Sequence, residues 1–206
     1  MGDGEGAQEE GLDRIFTVPN ALSVIRLCLI PVFLWLLFGR DSRVGAALLL
    51  GGLGATDWVD GFVARRYNQV TTLGKVLDPT ADRLLLGVAV VAILVDGSVP
   101  AAVAVPVLVR EALVGGAVVV LAALGARRID VTWAGKAGTF ALMFAFPLFL
   151  AGNDQGFGPH EAVRALAWVF AVVGLALSWY AAARYVPLAR RALAEGRAFR
   201  ERPAPG

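Results

Sequence analysis

Six long apolar stretches dominate this 206-residue sequence and leave few folds open to it. Only 17% of the residues are charged, compared with about a quarter in ordinary soluble domains. A helix that crosses the hydrocarbon core of a bilayer needs about 20 mostly apolar residues, and each stretch reaches that length. The stretches cover residues 19–39, 43–66, 75–95, 99–125, 133–152 and 161–186. The sequence therefore predicts an all-α, polytopic membrane protein with six transmembrane helices.

The two ends of the chain differ from this apolar region. Residues 1–14 are rich in Gly and Glu and are predicted to form a disordered N-terminal tail. Residues 15–186 make up the predicted six-helix domain, and residues 187–206 a basic C-terminal tail.

Lys and Arg are distributed unevenly between the two sides of the predicted bundle. With both termini on one side, twelve basic loop and tail residues fall on that side, and only Arg40, Arg43 and Arg164 on the other. Because cytoplasmic loops carry the excess of Lys and Arg, both termini are predicted to be cytoplasmic, with the chain integral to the cell membrane. The net charge of only +2 gives no reason to expect a nucleic-acid partner.

Ionisable residues inside the predicted spans indicate a function beyond membrane anchoring. They are Arg26, Asp57, Asp60, Asp78, Asp82, Arg83, Arg110, Glu111 and Lys136. An ionised group in hydrocarbon costs at least about 2.5–3.5 kcal/mol on insertion scales, so such groups usually face a polar cavity. The set predicts a hydrated, charged site.

Four of these residues form two carboxylate pairs. Asp57 and Asp60 are three residues apart on the second predicted helix, and Asp78 and Asp82 are four apart on the third. Each pair shares a helix face, and a short turn makes the two helices antiparallel neighbours, so the pairs can converge. Four carboxylates in one pocket repel each other unless cations neutralise them. Carboxylate oxygens suit Mg²⁺, Mn²⁺ or Ca²⁺. The only cysteine, Cys28, excludes a multi-Cys site. The only histidine, His160, is predicted to lie in a loop on the extracytoplasmic side, which disfavours imidazole ligands.

Small residues accompany the aspartates, and they allow two interpretations. Gly61, Ala64 and Gly74 could be positions of close helix packing, which are common in membranes. Alternatively, they let a flat nucleotide approach the backbone, with the Arg65 guanidinium available to phosphate oxygens. Two metal ions held by four carboxylates favour phosphoryl or diphosphate chemistry, and with it the second interpretation.

The pattern D-x2-D-G-x2-A-R-x8-G-x3-D-x3-D, which runs from Asp57 to Asp82, resembles the signature of the CDP-alcohol phosphatidyltransferase family at all eight positions. Residues 18–26, the pair Arg110-Glu111 and residues 135–139 are similar to other markers of that family. The resemblance covers about residues 18–185.

The resemblance implies a six-helix homodimer with a cytoplasm-facing polar cavity, in which an acceptor hydroxyl displaces CMP from CDP-diacylglycerol. It implies that Asp57, Asp60, Asp78 and Asp82 bind two divalent cations, Mg²⁺ or Mn²⁺, and that Asp82 is also the general base. The residues implied to line the donor site are Asn20, Gly61, Ala64, Arg65, Thr71 and Gly74.

The acceptor is a separate question, because relatives that use glycerol 3-phosphate often carry a second Arg two turns after the Arg-Glu pair. That position is Val118 here, so Arg110 and Lys136 remain as the expected acceptor-binding cations. Two cations suit a singly charged phosphodiester. The sequence therefore favours phosphatidylglycerol as acceptor, giving cardiolipin, with glycerol 3-phosphate as the main alternative and inositol phosphate behind it.

Two other classes of protein also place charges inside a membrane. A membrane prenyltransferase would show two Asp-rich motifs in separate halves of a longer chain, and this sequence has one. A transporter often has inverted repeats, and none is evident here. Both remain minor alternatives to phosphatidyl transfer.

Overall fold

The computed structural model describes residues 18–67, 74–124 and 132–200. Those residues form six α-helices and no strand. The helices are α1 (Val18–Leu34), α2 (Arg43–Tyr67), α3 (Gly74–Val95), α4 (Ala101–Ala123), α5 (Trp133–Gly152) and α6 (His160–Arg200). A π-helical segment, Trp35–Gly39, continues α1. The all-α class is confirmed, and each helix lies on one of the six predicted stretches. The predicted disordered tail, residues 1–14, lies outside the described residues.

Short turns connect several of these helices. Gly97 has a φ of 79°, a left-handed conformation that glycine adopts without steric cost, and it lies in the turn that follows α3. Asp41 adopts a φ of 50° between the π-helical segment and α2. The Thr132 hydroxyl accepts a hydrogen bond from the Gly135 backbone N–H at 3.3 Å and so caps the start of α5.

Within the described residues, three helices are long and apolar enough to cross a membrane. They are Ala101–Leu121, Trp133–Gly152 and His160–Tyr185, and shorter apolar stretches occupy Ser23–Gly39, Arg43–Thr56 and Arg83–Val95. Large apolar side chains on the long helices point outward: Val119 is 65% exposed and Val169 is 59% exposed. Such surfaces require an apolar solvent, and the chain is accordingly a membrane protein.

The described residues separate into two compact units. The first holds the chain up to Val99 together with Phe146–Arg164, and the second holds Pro100–Ala145 and the chain from Ala165 onward. In the first unit α1 packs against α3 and α2. Its buried side chains include Phe33, Leu37, Ala46, Leu53, Val90, Ile93, Phe146, Phe149 and Leu150.

A polar cluster of Arg43, Asp96, Ser98 and Asn153 joins three loops of the first unit at one end of its helices. Arg43 donates two hydrogen bonds to the Asp96 carboxylate, from Nε to Oδ2 at 3.0 Å and from Nη2 to Oδ1 at 3.1 Å. The Ser98 hydroxyl donates to Asp96 Oδ2, and Asn153 Nδ2 donates to Ser98 Oγ at 3.3 Å. The Asp96 side chain is only 6% exposed. The Arg43–Asp96 cluster thus ties the start of α2 to the end of α3.

In the second unit α5 and α6 approach each other closely at Gly138 and Gly174. A Cβ atom on Gly138 would lie 2.8 Å from the Ser178 backbone nitrogen, and one on Gly174 would lie 2.8 Å from Leu142 Cγ. Glycine at both positions permits a backbone approach that larger residues would prevent.

Candidate active site

The four aspartates of the motif lie on two consecutive helices, as the spacing predicts. Asp57 and Asp60 belong to the last three turns of α2, and Asp78 and Asp82 to the first turns of α3. For this part of the chain the structure describes the helical backbone. With a rise of about 1.5 Å per residue, the members of each pair are about 4.5–6 Å apart along their helix and share a face.

The Arg43–Asp96 cluster fixes the relative direction of the two helices. It joins the first residue of α2 to the residue that follows α3, while six residues connect the other ends. The two helices therefore run antiparallel, which agrees with the predicted arrangement.

The same cluster also sets the axial register of the aspartates. Asp57 lies fourteen residues after Arg43, and Asp82 lies fourteen residues before Asp96. Both are thus about 21 Å along their helices from the cluster. The outer pair members, Asp60 and Asp78, are seventeen and eighteen residues away, about 26–27 Å. The two aspartate pairs therefore lie at similar distances along their helices from the Arg43–Asp96 cluster, and this distance is called their depth here.

The remaining donor-site residues follow the aspartates along these helices. Gly61 and Ala64 each lie four residues after an aspartate of α2, and Arg65 follows directly. Four-residue steps keep a helix face, so small residues and carboxylates share one side of α2. Gly74 begins α3, and Asn20 lies in the first turn of α1. Thr71 lies outside the described residues.

The basic residues of the predicted spans fall into different environments. Arg26, on α1, is 5% exposed, whereas Arg83, on α3, is exposed. A nearly buried guanidinium within an apolar helix agrees with the expectation that charges inside the spans serve polar interactions.

Arg110 and its neighbour Glu111 lie midway along α4, in the second unit. Arg110 Nη1 donates a hydrogen bond to Glu111 Oε1, and the Arg110 side chain is 11% exposed. Its Nε atom is buried without a hydrogen-bond partner among the described residues. An unsatisfied N–H of a buried guanidinium is costly, and an anionic oxygen would satisfy it.

The two other positions considered for the acceptor are exposed. Lys136 lies near the start of α5, and Val118, on α4, is 41% exposed.

The donor chemistry of the motif fits a hard divalent cation. The motif places four aspartates at similar distances along two helices, and carboxylate oxygens are the ligands that Mg²⁺ and Mn²⁺ prefer. Elsewhere in the described part of the chain, no group of three or more His, Cys, Asp or Glu could hold a metal ion. Cys28 is exposed on α1, and His160, the first residue of α6, has its Nδ1 3.1 Å from the Phe157 carbonyl oxygen.

Sequence reasoning missed the Arg43–Asp96 cluster. From the sequence, Arg43 contributes only to the difference in basic charge between the two sides of the bundle. No spacing rule links residues 53 positions apart, so only the structure reveals that they pair.

Comparison with known proteins identifies the class to which these features belong. The family model described as CDP-alcohol phosphatidyltransferase matches residues 16–180. The chain belongs to the CDP-alcohol phosphatidyltransferase family. It is a CMP-forming phosphatidyltransferase of phospholipid biosynthesis.

Individual relatives have two kinds of name. The chain is 40% identical to the cardiolipin synthase (CMP-forming) of Streptomyces coelicolor, over 87% of this chain and 85% of that protein. It is 34% identical to the CDP-diacylglycerol–glycerol-3-phosphate 3-phosphatidyltransferase of Bacillus subtilis, over 68% of this chain and 79% of the relative. The Rickettsia bellii protein of the same name is 36% identical over 66% of this chain.

Proposed function

We propose that this enzyme transfers the phosphatidyl group of CDP-diacylglycerol to phosphatidylglycerol, forming cardiolipin and CMP. The choice of acceptor rests on the cations Arg110, whose buried Nε has no partner among the described residues, and Lys136, with Val118 where a further cation would lie. Phosphatidyl transfer itself is supported by two aspartate pairs at similar distances along the antiparallel helices α2 and α3. The proposal is also supported by the complete eight-position motif and by the similarity to a relative named cardiolipin synthase over most of both chains.

The proposed metal site consists of Asp57, Asp60, Asp78 and Asp82, which together would hold two Mg²⁺ or Mn²⁺ ions. When bound, the ions neutralise the donor diphosphate and stabilise the charge on departing CMP. The four carboxylates would also orient that diphosphate, because aspartates at similar distances along two antiparallel helices can bind it from opposite sides.

The reaction requires one proton transfer and one displacement. Asp82 accepts the proton of the acceptor hydroxyl. The acceptor oxygen then forms a bond to the phosphorus that carries the diacylglycerol, and the bond from that phosphorus to the CMP oxygen breaks. CMP leaves as an anion and needs no proton. Asp82 lies about one helical turn after Asp78 on α3, and we propose that it serves both as ligand and as base.

The nucleotide side of the donor is proposed to lie along α2. Gly61 and Ala64 permit close approach of the cytidine to the backbone, and the Arg65 guanidinium meets phosphate oxygens. Asn20, Thr71 and Gly74 complete the proposed donor site.

The choice of acceptor is argued from the basic side chains that could bind its phosphate. The buried, unpartnered Nε of Arg110 favours an anionic ligand, and Lys136 supplies a second charge. Val118 leaves no third cation on α4 at the expected position. Charge-assisted hydrogen bonds contribute about 1.5–3 kcal/mol each, so one cation fewer weakens a dianionic acceptor by about one to two orders of magnitude. A lipid phosphodiester loses less, since its acyl chains hold it at the membrane.

The second candidate acceptor is glycerol 3-phosphate. The Bacillus and Rickettsia relatives named for that acceptor, at 34% and 36% identity, are the specific observation in its favour. The aspartate site and its chemistry are the same for either acceptor.

The proposed arrangement in the cell follows from length and charge. We propose that all six helices span the cell membrane, with both termini and the aspartate site on the cytoplasmic side. The polar Arg43–Asp96 cluster then lies at the opposite surface. We also propose a homodimer, which is typical of the family.

The direct test supplies purified protein with labelled CDP-diacylglycerol and Mg²⁺ or Mn²⁺ and offers each acceptor alone, with CMP release as readout. Phosphatidylglycerol is expected to drive turnover, and glycerol 3-phosphate and inositol phosphate hardly at all. Efficient use of glycerol 3-phosphate with none of phosphatidylglycerol would reverse the acceptor assignment and leave the metal chemistry intact.

The metal site is tested on the same assay. Asn substitution of each aspartate, as in Asp57→Asn, is expected to nearly abolish CMP release, and a chelator to do so reversibly in wild type. Glu161→Gln is the matched control, because Glu161 is an exposed carboxylate in the first turn of α6, outside the motif. Substantial turnover in any two motif variants, or indifference to chelator, would contradict the two-metal site.

A further inference from the structure

Helix α6 does not end where its apolar part ends. The apolar part covers His160–Tyr185, whereas the helix continues to Arg200. The fifteen additional residues are called the α6 extension here, and at 1.5 Å per residue they measure about 22 Å. The predicted boundary between domain and tail, at residue 187, therefore falls inside a continuous helix.

Exposed aromatic side chains precede the extension. Trp179 is 39% exposed and Tyr180 is 54% exposed. Arg184 Nη1 donates a hydrogen bond of 3.0 Å to the Tyr180 hydroxyl, and the guanidinium lies 5.9 Å from the centre of the Tyr180 ring. Trp and Tyr with a neighbouring Arg are typical of the level at which lipid headgroups meet water. The α6 extension therefore begins at the membrane surface.

The sequence of the extension has two distinct sides at the helical repeat of 100° per residue. One sector, about 140° wide, contains only small and apolar positions apart from Arg200; these are Leu188, Ala189, Ala192, Leu193, Gly196 and Phe199. The opposite sector, about 120° wide, contains Arg190, Arg191 and Arg197. This pattern is typical of helices that lie in a membrane interface.

The charge of this segment selects the kind of lipid. Residues 184–202 contain six arginines and two glutamates, a net charge of +4, whereas the whole chain carries +2. A concentration of positive charge at the headgroup level attracts anionic lipids. Pro187, two residues beyond the apolar part, removes a helical hydrogen bond and permits the change of direction that a surface helix needs.

We propose that the α6 extension binds the anionic membrane surface, with its apolar sector toward the acyl chains and its basic sector toward headgroup phosphates. The surface lies outside the aspartate motif. The inference does not depend on which alcohol the enzyme uses.

The test places an environment-sensitive fluorophore on either side of the extension in the full-length protein. In a Cys28→Ser background, Ala192→Cys puts the label in the apolar sector and Ala194→Cys puts it about 160° away. Each labelled protein is reconstituted into phosphatidylcholine vesicles with or without phosphatidylserine or phosphatidylglycerol. Phosphatidylserine separates surface charge from binding of the proposed acceptor.

Both anionic lipids are expected to shift the emission at position 192 to shorter wavelength, to leave position 194 nearly unchanged, and to lose this effect at high salt. The triple variant R190Q/R191Q/R197Q should lose most of the shift, and R190K/R191K/R197K should keep it.

Equal emission at both positions in all vesicles would mean a solvated helix. A shift that is already complete in phosphatidylcholine would mean packing against protein, and a shift with phosphatidylglycerol alone would mean specific lipid binding. Each of these three results would overturn the proposal.

Discussion

Removal of the Arg43 side chain tests whether the cluster at one end of α2 and α3 holds their register. Arg43→Ala deletes both hydrogen bonds to Asp96, at 3.0 and 3.1 Å. The Asp96 carboxylate, 6% exposed, then keeps the Ser98 hydroxyl as the partner that the structure describes. A carboxylate in that position is both poorly hydrated and incompletely neutralised.

The size of the effect follows from the burial of the pair. Breaking a buried ion pair by removing one partner costs about 3–5 kcal/mol. The Arg43 side chain is 27% exposed, so water partly compensates, and a loss of about 2–4 kcal/mol is expected. For a chain of this length each kcal/mol lowers the melting temperature by about 2–4 °C. The variant should therefore melt roughly 4–16 °C below wild type.

Thermal unfolding of the purified protein in detergent measures the loss of stability. CMP release per folded protein tests whether the two helices keep their register. The matched control is Arg40→Ala, in the same loop, where the guanidinium only stacks 4.8 Å from the centre of the exposed Trp35 ring and contributes about 0.5–1 kcal/mol. Arg43→Ala should also reduce turnover of the folded fraction, because slippage by one residue displaces an aspartate pair by about 1.5 Å. Melting within 2 °C of Arg40→Ala, with full turnover, would refute the reasoning.

Three further predictions address the acceptor, the base and the helix packing. Asp82→Asn is expected to keep metal-dependent binding of labelled CDP-diacylglycerol and lose CMP release, whereas Asp57→Asn loses both; equal loss of affinity would make Asp82 a ligand only. Val118→Arg is expected to raise the initial rate with glycerol 3-phosphate over that of wild type, and an unchanged preference would exclude Val118 from acceptor choice. Gly138→Ala is expected to lower stability by about 1–3 kcal/mol in a melting assay, since its Cβ would lie 2.8 Å from a backbone nitrogen of α6. Gly116→Ala, in open space, should be neutral or stabilising by up to about 1 kcal/mol, and equal melting of the two variants would argue against close packing.

The sequence predicts the helices well because apolar length and breaker residues are local properties. Gly97 adopts a left-handed conformation in the turn that follows α3, and each of the six predicted stretches coincides with a helix. The motif aspartates are equally local, since their spacing of three and four residues determines the shared face on each helix. The end of α6 could not be predicted from hydropathy. Hydropathy falls after Tyr185, yet helix-forming residues continue the helix to Arg200. Hydropathy indicates whether a segment lies in lipid or in water, whereas helix propensity indicates whether its backbone is helical. The end of the apolar part and the end of the helix can therefore differ.

The depth of the aspartate pairs could not be predicted from spacing alone, because it depends on an anchor between distant residues. In an antiparallel pair of helices, residues meet at one depth only if their distances from a common fixed point agree. Asp57 and Asp82 satisfy this condition with fourteen residues each, counted from Arg43 and Asp96. A diphosphate gripped from two helices tolerates little axial error, since a 1 Å displacement at a reaction centre can cost about 100-fold in rate. The Arg43–Asp96 cluster therefore controls the axial position of the proposed metal site from about 21 Å away, and its substitution is expected to lower turnover as well as stability.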